Sequence, residues 1–261
     1  MYMPFFTPFD IPIAEETLPE KFTNPFDYEP HPLCILASEL LQKHIVEQKW
    51  NHNFGLENDP EGEVIGKMFG VLVVQTKEKE LGYLSAFSGK IAGTNKHEKF
   101  VPPVFDTLEG DSFLTKGMIE LSYINQEIKD LEILNASETK QKIDFLKEKR
   151  KNHSNTLQEK LFLQYHFLNQ DGESKSLKAI FENTKNPKPA GGAGECAAPK
   201  LLQYAFLNQM KPIAMAEFWW GQSPKANERQ HRHFYPACQD KCVPILGYML
   251  KECSGGFSHR K

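Results

Sequence analysis

Cys196, Cys238 and Cys242 fall within the stretch Gly191 to Cys242, where GGAGECAAPKLLQYAF is followed by KPIAMAEFWWG and RQHRHFYPACQDKC. Thiolates bind zinc strongly, and zinc usually takes four sulfur or nitrogen donors. Cys238 and Cys242 are four residues apart, so a helix starting near Ala237 sets both thiols on one face, a turn apart. Cys196 follows a Gly/Ala-rich loop and opens a second apolar run, and a helix N-terminus there lowers a thiol's pKa. His231 and His233, just upstream of the pair, are candidate fourth ligands. These residues lead to two expectations: a structural zinc, or three cysteines buried as small apolar side chains without metal.

Catalysis by such a zinc needs more than thiols. In zinc deaminases the fourth position holds an activated water, and a glutamate two residues after the first ligand moves the protons. That position is Ala198 here. Glu195 precedes Cys196 and leaves the chain in another direction. Glu217, in the strand-like AMAEFWWG, is the only other nearby acid on an expected core element. The spacing also departs, with P-A-C-x-x-x-C in place of P-C-x-x-C. No catalytic residue is therefore assigned. Gly191, Gly192 and Gly194 resemble a phosphate-cradling turn, but the lysine-Ser/Thr pair of a P-loop is absent, as are G-x-S-x-G and H-E-x-x-H.

These residues need a scaffold, and the pattern predicts an α/β one. Residues 1–60 read as a proline- and aromatic-rich arm followed by a helix opened by Pro32, with Leu36, Leu40, Leu41, His44 and Ile45 on one face. Residues 61–110 hold a β-hairpin, with strands over 64–76 and 81–91. Residues 111–185 change character. Leu114, Met118, Leu121, Ile124, Ile128 and Leu131 step by three and four, which predicts an antiparallel helical hairpin or coiled coil inserted into the core. Residues 186–253 supply helix 196–209, strand 212–220 and helix 238–251 around the cysteines, and 254–261 form a tail.

Bulk properties limit the partners. Net charge is −3, so nucleic-acid binding must rest on local patches. The candidates are the basic run Lys140, Lys142, Lys147, Lys149, Arg150 and Lys151, and the aromatic-basic segment with Trp219, Trp220 and Arg232. Adjacent strand residues face opposite ways, so at least one of the two tryptophans belongs to the core. Five sparse cysteines fit a reducing compartment. The opening MYMPFFTPFDIPIAEE has no basic n-region, and no apolar run is long enough to span a bilayer. A cytoplasmic protein without membrane contact is expected.

Five blocks carry a resemblance: PHPLCILASELLQ (30–42), KLFLQYHFLNQDGESKSL (160–177), AGECAAPKLLQYAF (193–206), PIAMAEFWWG (212–221) and HFYPACQDKCVPILGYML (233–250). They are similar to the N-terminal extension of some bacterial RluA-type RNA pseudouridine synthases, which are isomerases acting on tRNA or rRNA uridine. In that family a separate catalytic domain carries an R-L-D motif whose aspartate attacks uridine. R-L-D occurs nowhere in this sequence. The resemblance implies an RNA-facing accessory module that works with a separate pseudouridine synthase domain. A second, weaker resemblance rests on element order and cysteine placement. It is to the cytidine-deaminase-like fold, and it implies a three-layer core and a zinc-dependent nucleobase or nucleoside deaminase-like enzyme. A protein-interaction scaffold, recruiting a partner through the hairpin's apolar stripe, is the remaining expectation.

Overall fold

The computed structural model describes residues 3–26, 29–56, 61–109, 113–134, 139–225 and 228–251. The expected C-terminal tail, 254–261, lies outside them. Strands β1 (Thr7–Pro8), β2 (Lys67–Gln75), β3 (Leu81–Phe87), β6 (Lys211–Trp220) and β7 (Phe234–Tyr235) form one sheet in the order β1-β3-β2-β6-β7. Every pairing is antiparallel. The small ribbon β4 (His166–Leu168) with β5 (Ser174–Ser176) stands apart.

β2 reads KMFGVLVVQ and is buried on both faces, as a central β-branched run should be. Leu72, Val74 and Leu84 look toward α5 (Ala197–Leu207) and α6 (Gln239–Leu250), with Leu201, Ile245 and Met249. Phe69, Val71, Val73 and Phe218 look the other way, toward α1 (Pro32–Glu47). The result is helix, sheet, helix. In α1 the buried face is Leu33, Cys34, Ala37, Ser38, Leu41 and Ile45. This face is turned slightly from the predicted stripe: Leu36 and Leu40 lie at its edge, because the small residues Cys34, Ala37 and Ser38 let the helix sit close on the sheet. Gly70 does the same on the opposite face. A Cβ there would stand 3.0 Å from the Ala197 Cβ and 3.2 Å from Leu201 Cδ1. This seats α5, and with it Cys196, tightly on β2.

The aromatic arm packs as expected. Phe5, Phe6, Phe22 and Phe26 lie against the α5 side and Phe9 against the α1 side. β2 and β3 are shorter than the predicted 64–76 and 81–91, because the strand pairing ends at the loops that carry Ser88 and Gly89. Between β3 and α5 stand α2 (Phe113–Leu134) and α3 (Lys140–Gln164), followed by the ribbon and the short α4 (Leu177–Phe181). α2 and α3 pack antiparallel through Ile124, Ile128 and Leu146. Gly117 lies under Leu157, which leaves no room for a Cβ there. Leu121 is buried and Met118 is half exposed, so the stripe is only partly covered.

The loop after β3 is tied by Asp106. It accepts hydrogen bonds from the Asn95 side chain and the Leu108 amide, both at 2.9 Å, and pairs with Lys96. Partial burial opposes its ionisation, but these three donors outweigh that and hold its pKa down at about 2. A depressed carboxylate contributes stability that is full above its ordinary value of 3.8 and is lost as pH falls toward about 2. Lys96 is largely exposed, so solvent screening trims the contribution to about 1–2 kcal/mol. Asp106→Asn is expected to lower the urea midpoint at pH 7 and to flatten the loss between pH 4 and pH 2. An unchanged acid limb in the variant would refute this assignment.

Candidate functional site

Cys196 is the N-cap of α5 and Cys238 the N-cap of α6. The two helices pack on the same side of the sheet, so the ends that bear these residues meet. Cys242 lies one turn into α6, buried, and its amide donates to the Cys238 carbonyl at 3.1 Å. The three thiols lie close enough to perturb one another's ionisation. The neighbouring Cys196 and Cys242 thiols, against a smaller opposing effect of burial, hold the Cys238 thiol far below its usual range, and the Lys241 and Asp240 amides assist. Cys196 is pushed up to about 12 by Cys238 and by burial, with Cys242 opposing, and Cys242 is pushed up by Cys196, by Cys238 and by burial. The cluster sits at two helix N-termini, which favour negative charge. Among the described residues no group of three or more His, Cys, Asp or Glu that could hold a metal ion is found. Thiolate is a donor type that zinc favours.

Glu217 on β6 reaches the same place. Its Oε1 accepts from the Ala198 amide at 3.2 Å. It pairs across the strands with Gly70 on one side and with Tyr235 on the other, three residues before Cys238. Burial drives its pKa up to about 7, with the Ala198 amide and more distant Arg229 opposing. The charges of Glu217 and the cysteines raise one another's pKa values. A carboxylate is thus present beside the residue where the deaminase pattern lacks one, but it arrives from a strand and not from α5. Ala237 and Glu217 also line a pocket of about 20 Å³, room for one water.

The two histidines go elsewhere. His231 Nδ1 accepts from the Gly221 amide at 3.0 Å, and its ring stands 4.4 Å from that of Trp220. Trp220 packs with Phe69 and Phe218 on the α1 face, opposite the cysteines. His233 is exposed, near the His231 carbonyl. The structure does not bring either histidine to the thiols. Strand alternation is the reason: the turn after β6 anchors on Trp220, not on the Glu217 side.

The residues singled out for RNA divide in the same way. Lys142 pairs with Glu127 at 2.9 Å, Lys147 with Glu132 at 2.8 Å, and Arg150 donates to Asn125 at 3.0 Å, all within the hairpin. Lys140, Lys149 and Lys151 are exposed. Trp220 is buried, while Trp219 is half exposed with its indole N–H on the Gln222 carbonyl. Arg232 lies 5.3 Å over the Trp220 ring. The glycine loop turns through left-handed Gly192 and Gly194, and Gly194 lies tight against Tyr165. Its role here is to deliver the chain into α5.

One buried group has no sequence signal of its own. Lys200 on α5 is 2% exposed, and its Nζ donates to the carbonyls of Phe87 at 3.2 Å and Gly89 at 3.4 Å. It faces Glu195 at 3.6 Å, and Glu195 in turn accepts from the Tyr165 hydroxyl. Among the described residues no helix is long and apolar enough to cross a membrane. Comparison with protein-family models, curated proteins and solved structures finds no match to this chain.

Proposed function

We propose that this chain is a deaminase-like α/β module, stabilised by a structural zinc at Cys196, Cys238 and Cys242, that serves as the RNA-facing accessory part of a pseudouridine synthase. The observation that carries the metal reading is the meeting of three thiols from two helix N-termini. Cys196 is far in sequence from Cys238 and Cys242, and the packing of α5 and α6 on one side of the sheet brings the three together. The antiparallel order β3-β2-β6, with both cysteine-bearing helices on one face, supports the deaminase-like core. The α2–α3 hairpin then counts as an insertion, coiled-coil-like where Ile124, Ile128 and Leu146 meet.

Zinc bound there supplies a cross-link between α5 and α6. The side chains argue for that role over turnover: Cys242 and Glu217 are buried, and position 198 offers only its amide. The RNA-facing role rests on the block resemblance, helped by exposed Lys140, Lys149, Lys151 and Arg232. The paired Lys142, Lys147 and Arg150 support it less.

Binding of the full chain to tRNA and rRNA fragments, titrated from low to physiological salt, tests the RNA role. Affinity should fall with salt, and Lys149→Ala with Lys151→Ala should weaken it and lower the salt slope by about two. Salt-insensitive binding, or none, would end that role. The second reading, a nucleobase deaminase, is favoured by the Glu217 carboxylate beside Ala198. Ammonia release from cytidine, adenosine or RNA by the zinc-loaded protein would favour it over the accessory role.

A further inference from the structure

We infer that the cavity in front of Glu195 is a base-recognition pocket, which takes a nucleobase edge with two adjacent N–H donors, as guanine has. This rests on the RNA-facing reading above, to which it adds the base recognised, and it does not involve the thiols.

A cavity of about 180 Å³ lies between the start of α2, the end of α3 and the loops 89–90 and 192–195. Leu114, Leu161 and Phe162 wall it. An apolar cavity of roughly 150 Å³ takes a benzene ring, so this volume admits the six-membered ring of one base and leaves the sugar outside. Glu195 and Tyr165 also line it, and the Tyr165 hydroxyl donates to Glu195 Oε1. Behind them, away from the cavity, the Lys200 ammonium faces Glu195 Oε2 at 3.6 Å. The Glu195 side chain stays 21% exposed and that of Lys200 only 2%, so a ligand reaches the carboxylate and not the ammonium.

Three features select the ligand. An ionised carboxylate has about four lone-pair sites. Tyr165 and Lys200 take two, and among the described residues no other group donates to this one. Two adjacent N–H donors fill the rest. Guanine offers N1–H beside its 2-amino group, whereas adenine, cytosine and uracil each set an acceptor beside the donor on that edge. Second, Lys200 already balances the charge of Glu195, so a neutral edge suits the pocket better than a guanidinium. Burial raises the Glu195 pKa, and the charges of Lys200 and Lys90 oppose the rise. Third, the rim is cationic. Lys90 lines the cavity, and Lys241 Nζ would stand 3.5 Å from a Cβ at Gly192, another lining residue. A phosphate that follows the base outward meets these lysines, and an arginine side chain would be repelled by them.

Calorimetric titration of the full chain with GMP, AMP, CMP and UMP tests this. GMP should bind about 10-fold or more tightly than the others. In Glu195→Gln the preference should pass from GMP to AMP, because an amide offers one donor and one acceptor. A misfolded variant would lose binding without switching it. Leu114→Trp, which fills the cavity from its α2 wall, should weaken GMP about 10-fold or more and keep the wild-type melting temperature. No GMP binding at millimolar concentration, equal binding of the four nucleotides, or a GMP preference unchanged in Glu195→Gln would overturn the inference. So would tighter binding of N-acetylarginine amide than of GMP. Salt-sensitive RNA binding without GMP selectivity would overturn the pocket alone. GMP selectivity in a chain that binds no RNA would uphold the pocket and end the RNA role.

Discussion

Cys242→Ser should remove bound zinc and cost the protein about 3 kcal/mol or more of stability. The side chain is fully buried in the core beside Cys238, one turn along α6. Serine has nearly the same shape, so little packing is lost, but a hydroxyl is a poor substitute for a thiolate ligand. Two effects then add. The variant forfeits metal linkage, which at free zinc about 100-fold above Kd is worth about 2.7 kcal/mol. It also places a hydroxyl where the core holds a buried thiol, at a cost of about 1 kcal/mol. Elemental analysis should find one zinc per wild-type chain and none in the variant. Stripping zinc from wild type with a chelator should lower its melting temperature toward that of Cys242→Ser, and the chelator should not affect the variant. Cys34→Ser is the control. Cys34 is equally buried, in α1 on the other face, so that variant should lose some stability and keep its zinc. A Cys242→Ser protein that retains one zinc per chain, or a wild type indifferent to chelation, would remove the metal from this site.

The three thiols were legible in sequence because their signals are local. The i,i+4 pair after a proline and the cysteine at a loop-to-helix boundary each follow from a few residues. The strands were legible for the same reason: VIGKMFGVLVVQT is too β-branched to be anything else. What local pattern could not supply is which side of the sheet a residue joins. His231 and His233 lie close to Cys238 in sequence, yet the turn that carries them folds onto Trp220 and the α1 face. Glu217 lies 21 residues before Cys238 and is near it in space, because β6 pairs with β7 and α5 is drawn onto Gly70. The basic run of α3 was visible as charge, but the partners Glu127, Glu132 and Asn125 come from a facing helix whose register the sequence leaves open. Lys200 carries the same lesson inside α5. Nothing in AAPKLLQYAF marks its lysine as buried.

Lys200→Met should be the most damaging single change outside the cysteines, at about 3–5 kcal/mol, and most of that should be recoverable by a second substitution. Methionine matches the length and apolar stem of lysine, so the cavity contribution is small. What goes is the ammonium that serves the carbonyls of Phe87 and Gly89 at the end of β3 and faces Glu195. Burial pushes the Lys200 pKa down and the Glu195 pKa up, and in each case the partner's charge opposes the shift. The pair is thus held together by mutual need. Removing the cation leaves a largely buried carboxylate, which is the costly half of breaking such a pair. Glu195→Gln in the same chain removes that charge and keeps an acceptor for the Tyr165 hydroxyl, so it should restore about 1.5–3 kcal/mol of the loss. Urea unfolding of the two single variants and the double variant closes the cycle. Additive losses would show that the two groups act independently. Coupling of the expected size would show that the loop 88–89, the loop before Cys196 and the first turn of α5 are one electrostatic unit. It would then follow that Cys196 is positioned from behind by Lys200, as Glu217 bounds it in front, and that Lys200→Met should also weaken zinc retention without touching any ligand.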